Sequence, residues 1–501
     1  MGHLARRALS AALLGLALSA PAGAKAPNIV FILADDLDAV AAAQMSQVKS
    51  LITDQGTSFR HHYVSLSLCC PSRATTLRGQ FSHNTGIFKN DLPDGGFGGF
   101  YQKGEEASTV ATWLRDGGYR TALFGKYLNG YPEGGPSNRY VPPGWTEWMS
   151  PAAGTPYKGF NYTMNHNGTL VDYGKADADY LTDVISQAAT DFIRHSVDQF
   201  PDKPFFVYLA PYAPHAPATP APRHENAFKD IKVPQGPSFN EADVSDKPNW
   251  VRSLPLLTSA EIKDMDKLYR KRRQSLLAVD EMVQSVVNTL QAKGELNNTY
   301  IFFASDNGYH QGQHRLDSGK MTAFEEDLLI PLSVRGPGVP ARRTVDHITA
   351  NVDYASTFAE IGGVSTPSFV DGRSLVPFLK GQTPPSWRAA LLLENKDGAL
   401  PPLRSADGPL EPSDPFELSI GPAGGGQGID GFTGLRINDG TTYVEYTTGE
   451  HEYYNNGTDA AQLRNSYIFT SPQTKARLAN WVAALKNASG AALRQAELAA
   501  P

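Results

Sequence analysis

Four short runs of apolar residues, many of them β-branched or aromatic, constrain the fold of this chain more than any other feature. They are residues 28–34, 121–124, 204–210 and 300–305. None alternates polar with apolar residues, and continuous apolar runs of this length suit strands that are buried on both faces. Helical patterns lie between these runs. The sequence therefore predicts a largely parallel α/β sheet with helices covering both of its faces.

The clearest helix begins near Thr258, which forms a capping-box pattern with Glu261, and it ends before Gly294. Its apolar residues recur at helical spacing: Leu276, Val279, Val283, Val286 and Leu290. The sequence of residues 270–273 is Arg-Lys-Arg-Arg, the one basic cluster of the chain. On a helix this cluster predicts a solvated face, and a patch for an anionic substrate is the minor alternative.

The first 24 residues have the three parts of a secretory signal peptide. Arg6 and Arg7 form a charged segment, residues 8–20 are apolar but too few to span a bilayer, and residues 22–24 form a small-residue cleavage site. We therefore expect an exported protein, whether secreted, periplasmic or lysosomal. No later segment is apolar enough to predict a transmembrane helix.

The charge of the chain limits its partners. The net charge of −6 becomes −8 when Arg6 and Arg7 leave with the signal peptide. An acidic surface argues against nucleic acid and against an extended polyanion as the partner.

The character of the sequence changes after residue 385, so we expect a large domain over residues 25–385 and a smaller α+β domain over residues 386–501. The smaller domain has strand patterns at 387–393, 434–438 and 442–446, a glycine-rich segment at 421–428 and an amphipathic helix at 472–485. The segment 211–250 is rich in proline and predicts a long irregular loop, which in a compact domain is more often functional than not.

Polar residues follow each of the four predicted strands. Asp35 and Asp36 follow the first, Lys126 the second and His215 the third, and Asp306 with Asn307 follows the fourth. Each signal is weak alone, because such residues are often turns, caps or surface groups. In an open α/β sheet, however, ligands bind at the carboxyl ends of the strands, so all of these side chains are expected at one edge.

Their chemistry is that of a site for a hard cation and an anion. The carboxylates and the Asn307 amide supply oxygen ligands, which favour Ca²⁺ or Mg²⁺ over zinc. The cationic candidates are Arg73, Lys126, His215 and Lys320. An anionic ester whose leaving oxygen gains charge needs both a metal and such cations.

Cys69 and Cys70 are the only cysteines, and adjacent residues do not easily reach disulfide geometry. They begin the string CCPSRATTLRG, which resembles the signature of the type I sulfatases, C-x-P-S-R-x-x-x-[LT]-x-G. A cysteine at the start of a helix would lie where backbone N–H groups favour an anion. The resemblance continues in the same order through ADD, GK, a histidine after the mid-chain strand, SDNG and a later lysine.

The resemblance implies an alkaline-phosphatase-like α/β/α sandwich with residues 25–385 as the catalytic domain. It implies that a maturation enzyme oxidises Cys69 to formylglycine (3-oxoalanine), whose hydrate attacks sulfur and then expels sulfate. Arg73 would orient the hydrate, Lys126 and Lys320 would hold the sulfate oxygens, and His215 would protonate the leaving group. The implied metal ligands are Asp35, Asp36, Asp306, Asn307 and the modified Cys69.

The chain departs from the family at Leu128, where many members have a histidine two residues after the GK lysine. The string GKYLNGY resembles the branch that contains N-acetylglucosamine-6-sulfatases, extracellular glucosamine endosulfatases and some microbial arylsulfatases. Asn129 or His310 would then take over part of the role of that histidine. His310 and His314 are candidates for contact with the substrate, with a structural role as the alternative.

Three functions follow from these patterns. The first is hydrolysis of a sulfate ester, either a sugar 6-O-sulfate or an aryl sulfate. The second is hydrolysis of a phosphonate monoester or phosphodiester by the same superfamily, although a Ser or Thr at position 69 would suit a phosphatase better than Cys69 does. The third is a non-catalytic binding protein that is never matured.

Overall fold

The computed structural model describes residues 25–396 and 429–500. The strands are β1 (Asn28–Ala34), β2 (Thr57–Phe59), β3 (His62–Tyr63), β4 (Arg120–Gly125), β5 (Glu147–Gly154), β6 (Tyr162–His166), β7 (Thr169–Tyr173), β8 (Phe205–Ala210), β9 (Thr299–Ser305), β10 (His310–Gln311), β11 (Ser318–Gly319), β12 (Leu332–Arg335), β13 (Arg343–Val345), β14 (Thr349–Ala350), β15 (Ala390–Asn395), β16 (Phe432–Ile437), β17 (Thr441–Tyr446) and β18 (His451–Asn455).

The α-helices are α1 (Ala39–Ala42), α2 (Ser46–Leu51), α3 (Cys69–Arg78), α4 (Ser82–Thr85), α5 (Gly96–Gln102), α6 (Val110–Asp116), α7 (Leu181–Gln199), α8 (Asn249–Arg252), α9 (Ser259–Ala292), α10 (Glu325–Leu328), α11 (Asp353–Ile361), α12 (Val376–Leu379), α13 (Pro472–Lys486) and α14 (Gly490–Ala496). The four predicted strands and the predicted long helix are among these elements, with bounds that differ by about a residue.

The central sheet has ten strands in the order β13-β2-β12-β9-β1-β8-β4-β5-β6-β7. Its middle five strands, from β9 to β5, are parallel. On either side of them, β12 and β6 pair in antiparallel fashion. The predicted mostly parallel α/β sheet is therefore confirmed, with antiparallel strands added at both margins.

The sheet is buried on both faces. Successive residues of its central strands point to opposite sides, so each strand contributes to two apolar cores. In β1, Ile29 and Phe31 belong to one apolar core, whereas Val30 and Ile32 belong to the other. Helices α3, α6 and α11 contribute to the first core, and helices α2, α7 and α9 contribute to the second. This three-layer α/β/α arrangement leaves the carboxyl ends of the strands as the place for polar groups.

Helix α9 confirms the predicted cap but not the predicted surface for its basic residues. The Thr258 side chain accepts from the Glu261 backbone N–H, as the capping box requires. Arg272 and Arg273, however, are 0% and 5% exposed. The prediction of a solvated face is wrong for these two because they lie four and three residues before Leu276, on the face that packs against the sheet.

The C-terminal part forms a separate four-stranded antiparallel sheet in the order β15-β16-β17-β18. The apolar face of α13, including Trp481 and Leu485, packs in the same core as this sheet. That core also contains Trp250 and Phe324 from the preceding part of the chain. The predicted small antiparallel unit is confirmed, whereas a domain boundary at residue 385 stays a prediction.

The signal peptide over residues 1–24 and the glycine-rich segment 421–428 lie outside the described residues. Among the helices of residues 25–396 and 429–500, none is both long and apolar enough to cross a membrane.

Glu106 is a buried carboxyl group within the aromatic part of the first core. The Tyr127 and Tyr140 hydroxyls donate to its two oxygens at 3.0 and 2.8 Å. Burial raises the pKa of Glu106 to about 7, against the opposing effect of these two hydrogen bonds. Folding therefore favours the protonated carboxyl group, and its contribution to stability is lost as the pH rises through about 7.

We expect Glu106→Gln to stabilise the protein above pH 7, because the neutral amide keeps partners for both hydroxyls without a buried charge. At pH 8 the gain should be up to about 3 kcal/mol, and at pH 5 the variant and the wild type should be alike. Thermal unfolding across this pH range measures the difference. A gain of equal size at both pH values would show that ionisation of Glu106 is not the cause.

Candidate functional site

The polar residues that follow the four central strands lie together at one edge of the sheet. Because β9, β1, β8 and β4 are neighbours and parallel, the segments that follow them start side by side. The side chains are at most 2% exposed: Asp35, Asp36, Lys126, His215, Asp306 and Asn307. The sequence prediction of one shared edge is confirmed in this geometry.

Cys69 begins helix α3 and faces this cluster. Its Sγ lies 3.4 Å from Asp35 Oδ1, and the Lys320 ammonium lies 2.8 Å from the same sulfur. Burial raises the pKa of the Cys69 thiol well above its ordinary value, although Lys126 opposes the shift. As a thiol, Cys69 is therefore protonated at neutral pH and a weak nucleophile.

Cys70 has a different environment from its neighbour. It belongs to the first apolar core, and its backbone N–H donates to Asn90 Oδ1 at 2.9 Å. Burial raises the pKa of its thiol to about 12. Both cysteines are free thiols, but their side chains divide between the polar cluster and the core.

Arg73, one helical turn after Cys69, fixes the side of the cluster next to β9. Its Nε donates to Asp306 Oδ2 at 2.8 Å, and its Nη1 donates to the Lys126 backbone carbonyl at 3.0 Å. The Lys126 ammonium in turn donates to Asp35 Oδ2 at 2.7 Å. These contacts connect the ends of three strands to the first turn of α3.

Asp36 is the centre of the other side of the cluster. Its Oδ1 accepts from Lys320 Nζ at 2.6 Å and from Asn307 Nδ2 at 2.7 Å. His215 Nε2 lies 3.6 Å from Asp36 Oδ2. The Asp36 backbone N–H donates to Asp306 Oδ1 at 3.1 Å, so the two acidic segments are also joined directly.

The fully buried carboxylates and the nearby cations balance in number, with Asp35, Asp36 and Asp306 against Arg73, Lys126 and Lys320. Burial alone would raise the pKa of Asp35 and Asp36, but Lys126 and Lys320 respectively reverse this and lower the pKa of each. Burial raises the pKa of Asp306 to about 6, although Arg73 opposes the shift. The first two carboxyl groups are therefore ionised at neutral pH, and the third titrates near it.

The cluster fits a divalent cation. Ligand atoms of Asp35, Asp36, Cys69 and His215 lie within 4.8 Å of one another. The Oδ1 oxygen of Asn307 is buried and has no hydrogen-bond partner among the described residues. An oxygen of this kind beside carboxylates is satisfied by a hard cation such as Ca²⁺ or Mg²⁺.

Asn129 and His310 flank the cluster. Asn129 Nδ2 donates to the Tyr157 hydroxyl at 3.4 Å, and the centroid of the Tyr157 ring lies 4.5 Å from that of the His215 ring, with the two rings tilted. His310 pairs across two short strands with Gly319, the residue before Lys320. Asp327 binds its Nδ1 at 2.8 Å, and its buried Nε2 has no partner among the described residues.

His314 resembles His310 in that its buried Nε2 has no partner among the described residues, but its other contacts are with a different part of the fold. Its Nδ1 binds Glu241 Oε2 at 2.7 Å, and its ring stacks 3.8 Å from that of Phe324. These contacts join the predicted irregular loop to the core of the C-terminal sheet, which favours the structural alternative for this histidine.

Two contributors to the site were missed by the sequence interpretation. Arg272 donates to the Asp36 carbonyl, and Tyr157 provides an aromatic wall 5.0 Å from the Lys126 ammonium. The helical period could have found Arg272, since it lies seven residues before Val279. For Tyr157 no signal exists, because it lies in a 3₁₀ turn between strands.

Comparisons with known proteins agree with this geometry. A family model described as Sulfatase matches residues 27–364. Human N-acetylglucosamine-6-sulfatase is 38% identical over 382 residues, which cover 74% of this chain and 68% of the human protein. An arylsulfatase of Volvox carteri is 36% identical, covering 72% of this chain and 59% of the algal protein.

Among solved structures, BT4656 in complex with its substrate D-glucosamine-2-N,6-O-disulfate is similar, with a TM-score of 0.74. The sequences are 23% identical, and the match covers 92% of this chain and 97% of that chain. This likeness confirms the fold.

We expect Ca²⁺ affinity to fall at acidic pH, because Asp306 must lose its proton to serve as a ligand. With a pKa of about 6, affinity at pH 5 should be about tenfold weaker than at pH 7.5. Calorimetric titration at the two pH values measures this Ca²⁺ affinity. Asp306→Asn should bind Ca²⁺ more weakly and lose most of the pH dependence. An affinity that is constant over this range would contradict the assignment.

Proposed function

The chain belongs to the sulfatase family and is a sulfuric ester hydrolase, and we propose that it works through formylglycine made from Cys69 and a bound Ca²⁺. The observation that carries this proposal is the placement of Cys69 Sγ 3.4 Å from Asp35 and 2.8 Å from Lys320, at the first residue of α3. The group that reacts would therefore lie among carboxylates, cations and backbone N–H groups.

The two groups that the chain must acquire have defined tasks. Formylglycine at position 69 supplies a nucleophilic hydrate oxygen and a second hydroxyl that releases sulfate, and the divalent cation supplies positive charge. The raised pKa of the Cys69 thiol supports the need for such a conversion, because a protonated thiol is a poor nucleophile. Asp35, Asp36, Asp306 and Asn307 would hold the cation.

The cationic residues of the chain would bind the sulfate group. Their charges are balanced by the three carboxylates, so a divalent cation would make the site positive by two and favour an anion. Lys126 and Lys320 each lie next to a carboxylate that would bind the cation. Their ammonium groups would therefore be within reach of a sulfate group that the cation attracts. Arg73 would hold the group at position 69 in place.

His215 would protonate the leaving alcohol. Its Nδ1 lies 2.7 Å from the Ala216 backbone carbonyl, which acts as acceptor and therefore fixes a proton on Nδ1. Its Nε2 then faces the cluster beside Asp36. In the doubly protonated ring, Nε2 would carry the proton that passes to the leaving oxygen. Asn129 and His310, whose Oδ1 and Nε2 atoms are buried without partners among the described residues, would contact the substrate.

The substrate we propose is a sugar 6-O-sulfate such as N-acetylglucosamine-6-sulfate, with an aryl sulfate as the second candidate. The relatives that support these choices are the human N-acetylglucosamine-6-sulfatase and the Volvox carteri arylsulfatase, and BT4656 was solved with a sulfated glucosamine. We further propose export through the signal peptide, maturation by a formylglycine-generating enzyme, and a catalytic domain that ends near residue 385.

The test is release of inorganic sulfate by protein produced together with a maturation enzyme. Rates on N-acetylglucosamine-6-sulfate and on an aryl sulfate decide between the two substrates. An aryl phosphonate tests the phosphonate alternative, and faster turnover of the phosphonate than of either sulfate would contradict the proposal.

Replacing the two cysteines one at a time separates chemistry from packing. Cys69→Ala should lower sulfate release by at least about 10⁴-fold because it removes the nucleophile. Cys70→Ala should keep most of the activity and lose about 1 kcal/mol of stability, since its side chain belongs to the first apolar core. Activity that survives Cys69→Ala, or that Cys70→Ala abolishes in a folded protein, would overturn the role of Cys69.

A further inference from the structure

We propose that Arg272 is a positioning residue, which holds Asp36 and the segment that carries His215 in the geometry that binds the cation. The proposal rests on the proposed function, because it treats Asp36 as a metal ligand and His215 as the acid. Arg272 lies on α9, outside the segments that follow the four central strands. Its contacts among the described residues include the Asp36 backbone carbonyl and the Asp38 side chain, but not the side-chain carboxylates of Asp35, Asp36 or Asp306.

The first observation is the backbone of Asp36. Its φ is 62°, in the left-handed region that residues other than glycine rarely adopt. Such a conformation persists only where the surroundings fix it. The Asp36 N–H donates to Asp306 Oδ1 at 3.1 Å, and the carbonyl accepts from Arg272 Nη2 at 2.6 Å. The residue is therefore held from both ends of its own backbone.

The second observation is that one guanidinium connects three strand ends. Arg272 Nη2 also donates to Asp38 Oδ2 at 3.1 Å, after β1. Its Nη1 lies 3.4 Å from the backbone carbonyl of Pro214, the residue before His215 and after β8. Its Cζ lies 4.1 Å over the ring of Tyr309, after β9. A planar group with several donors can bridge such segments, whereas an ammonium cannot.

The third observation is the rigidity of the support. Helix α9 has 34 residues, and its apolar face, including Leu276 and Val279, is buried in the second core. Arg272 continues that face by one turn and is 0% exposed. Outer residues that orient metal ligands in this way typically change metal affinity or activity when they are replaced.

Neighbouring Arg273 is a matched control. It is also buried, but its partners are Gln44, Tyr269 and the ring of Phe228, none of which belongs to the site. Arg272→Met and Arg273→Met each remove a buried guanidinium and its packing, so similar losses of thermal stability are expected. Only Arg272→Met should change the affinity of the protein for the cation.

The experiment measures Ca²⁺ binding by calorimetry on the full chain with Cys69 unconverted, so that maturation does not enter the result. Arg272→Met should weaken Ca²⁺ binding by about 10-fold to 100-fold. The Ca²⁺ affinity of Arg272→Lys should lie between those of Arg272→Met and the wild type, because a single ammonium replaces only part of the contacts. Arg273→Met should bind Ca²⁺ as the wild type does.

Kinetics of the matured variants provide a second readout. Arg272→Met should lower kcat, whereas KM at saturating Ca²⁺ should stay within about twofold, because Arg272 does not touch the substrate. Wild-type Ca²⁺ affinity in Arg272→Met, or an equal loss in Arg273→Met, would overturn the proposal.

The failure of the proposed function would look different. In that case the wild type itself would neither bind Ca²⁺ nor release sulfate. Crystal structures of the two variants then decide the role of Arg272. Asp36 should leave the left-handed conformation in Arg272→Met and keep it in Arg273→Met, and an unchanged Asp36 backbone in both would contradict the positioning role.

Discussion

The structure depends on the balance of buried charges at one end of its central sheet. Three carboxylates and three cations lie beyond the reach of water, and each cation is within 2.8 Å of a carboxylate oxygen. An unpaired charge at this depth would cost several kcal/mol. The balance permits the cluster to form without a ligand. Under the proposed function, a divalent cation would turn this neutral site into one that favours an anion.

The topology determines which residues can take part in that balance. Parallel strands deliver their following segments to the same edge, so residues far apart in sequence meet there, such as Asp36 and Asp306. Helix α3 begins at this edge, so it places Cys69, Arg73 and the backbone N–H groups of its first turn there. The fold thus supplies rigid positions for the side chains of the site, and Tyr157 and His310 are brought near the same edge by segments other than the four central strands.

Much of this could be predicted from the sequence, because strands buried on both faces and a motif at a helix start leave strong local signals. The pairing of each cation with its carboxylate could not, since it depends on side-chain geometry across strands. The prediction of a solvated face for the basic run on α9 was wrong because it relied on the charge of the side chains and not on their position in the helical period. Arg272 and Arg273 continue the apolar face defined by Leu276. His314 is a second case, since its contacts with Glu241 and Phe324 favour a structural role that no pattern in the sequence distinguished from contact with the substrate.

The two adjacent cysteines should have different fates, since one faces the ion cluster and the other faces the core. The most direct measurement is the mass of the tryptic peptide of residues 61–73 from protein that was produced together with a maturation enzyme. We expect an aldehyde at Cys69 and an unmodified thiol at Cys70. Two intact thiols in a protein that nevertheless releases sulfate, or conversion at Cys70, would contradict it.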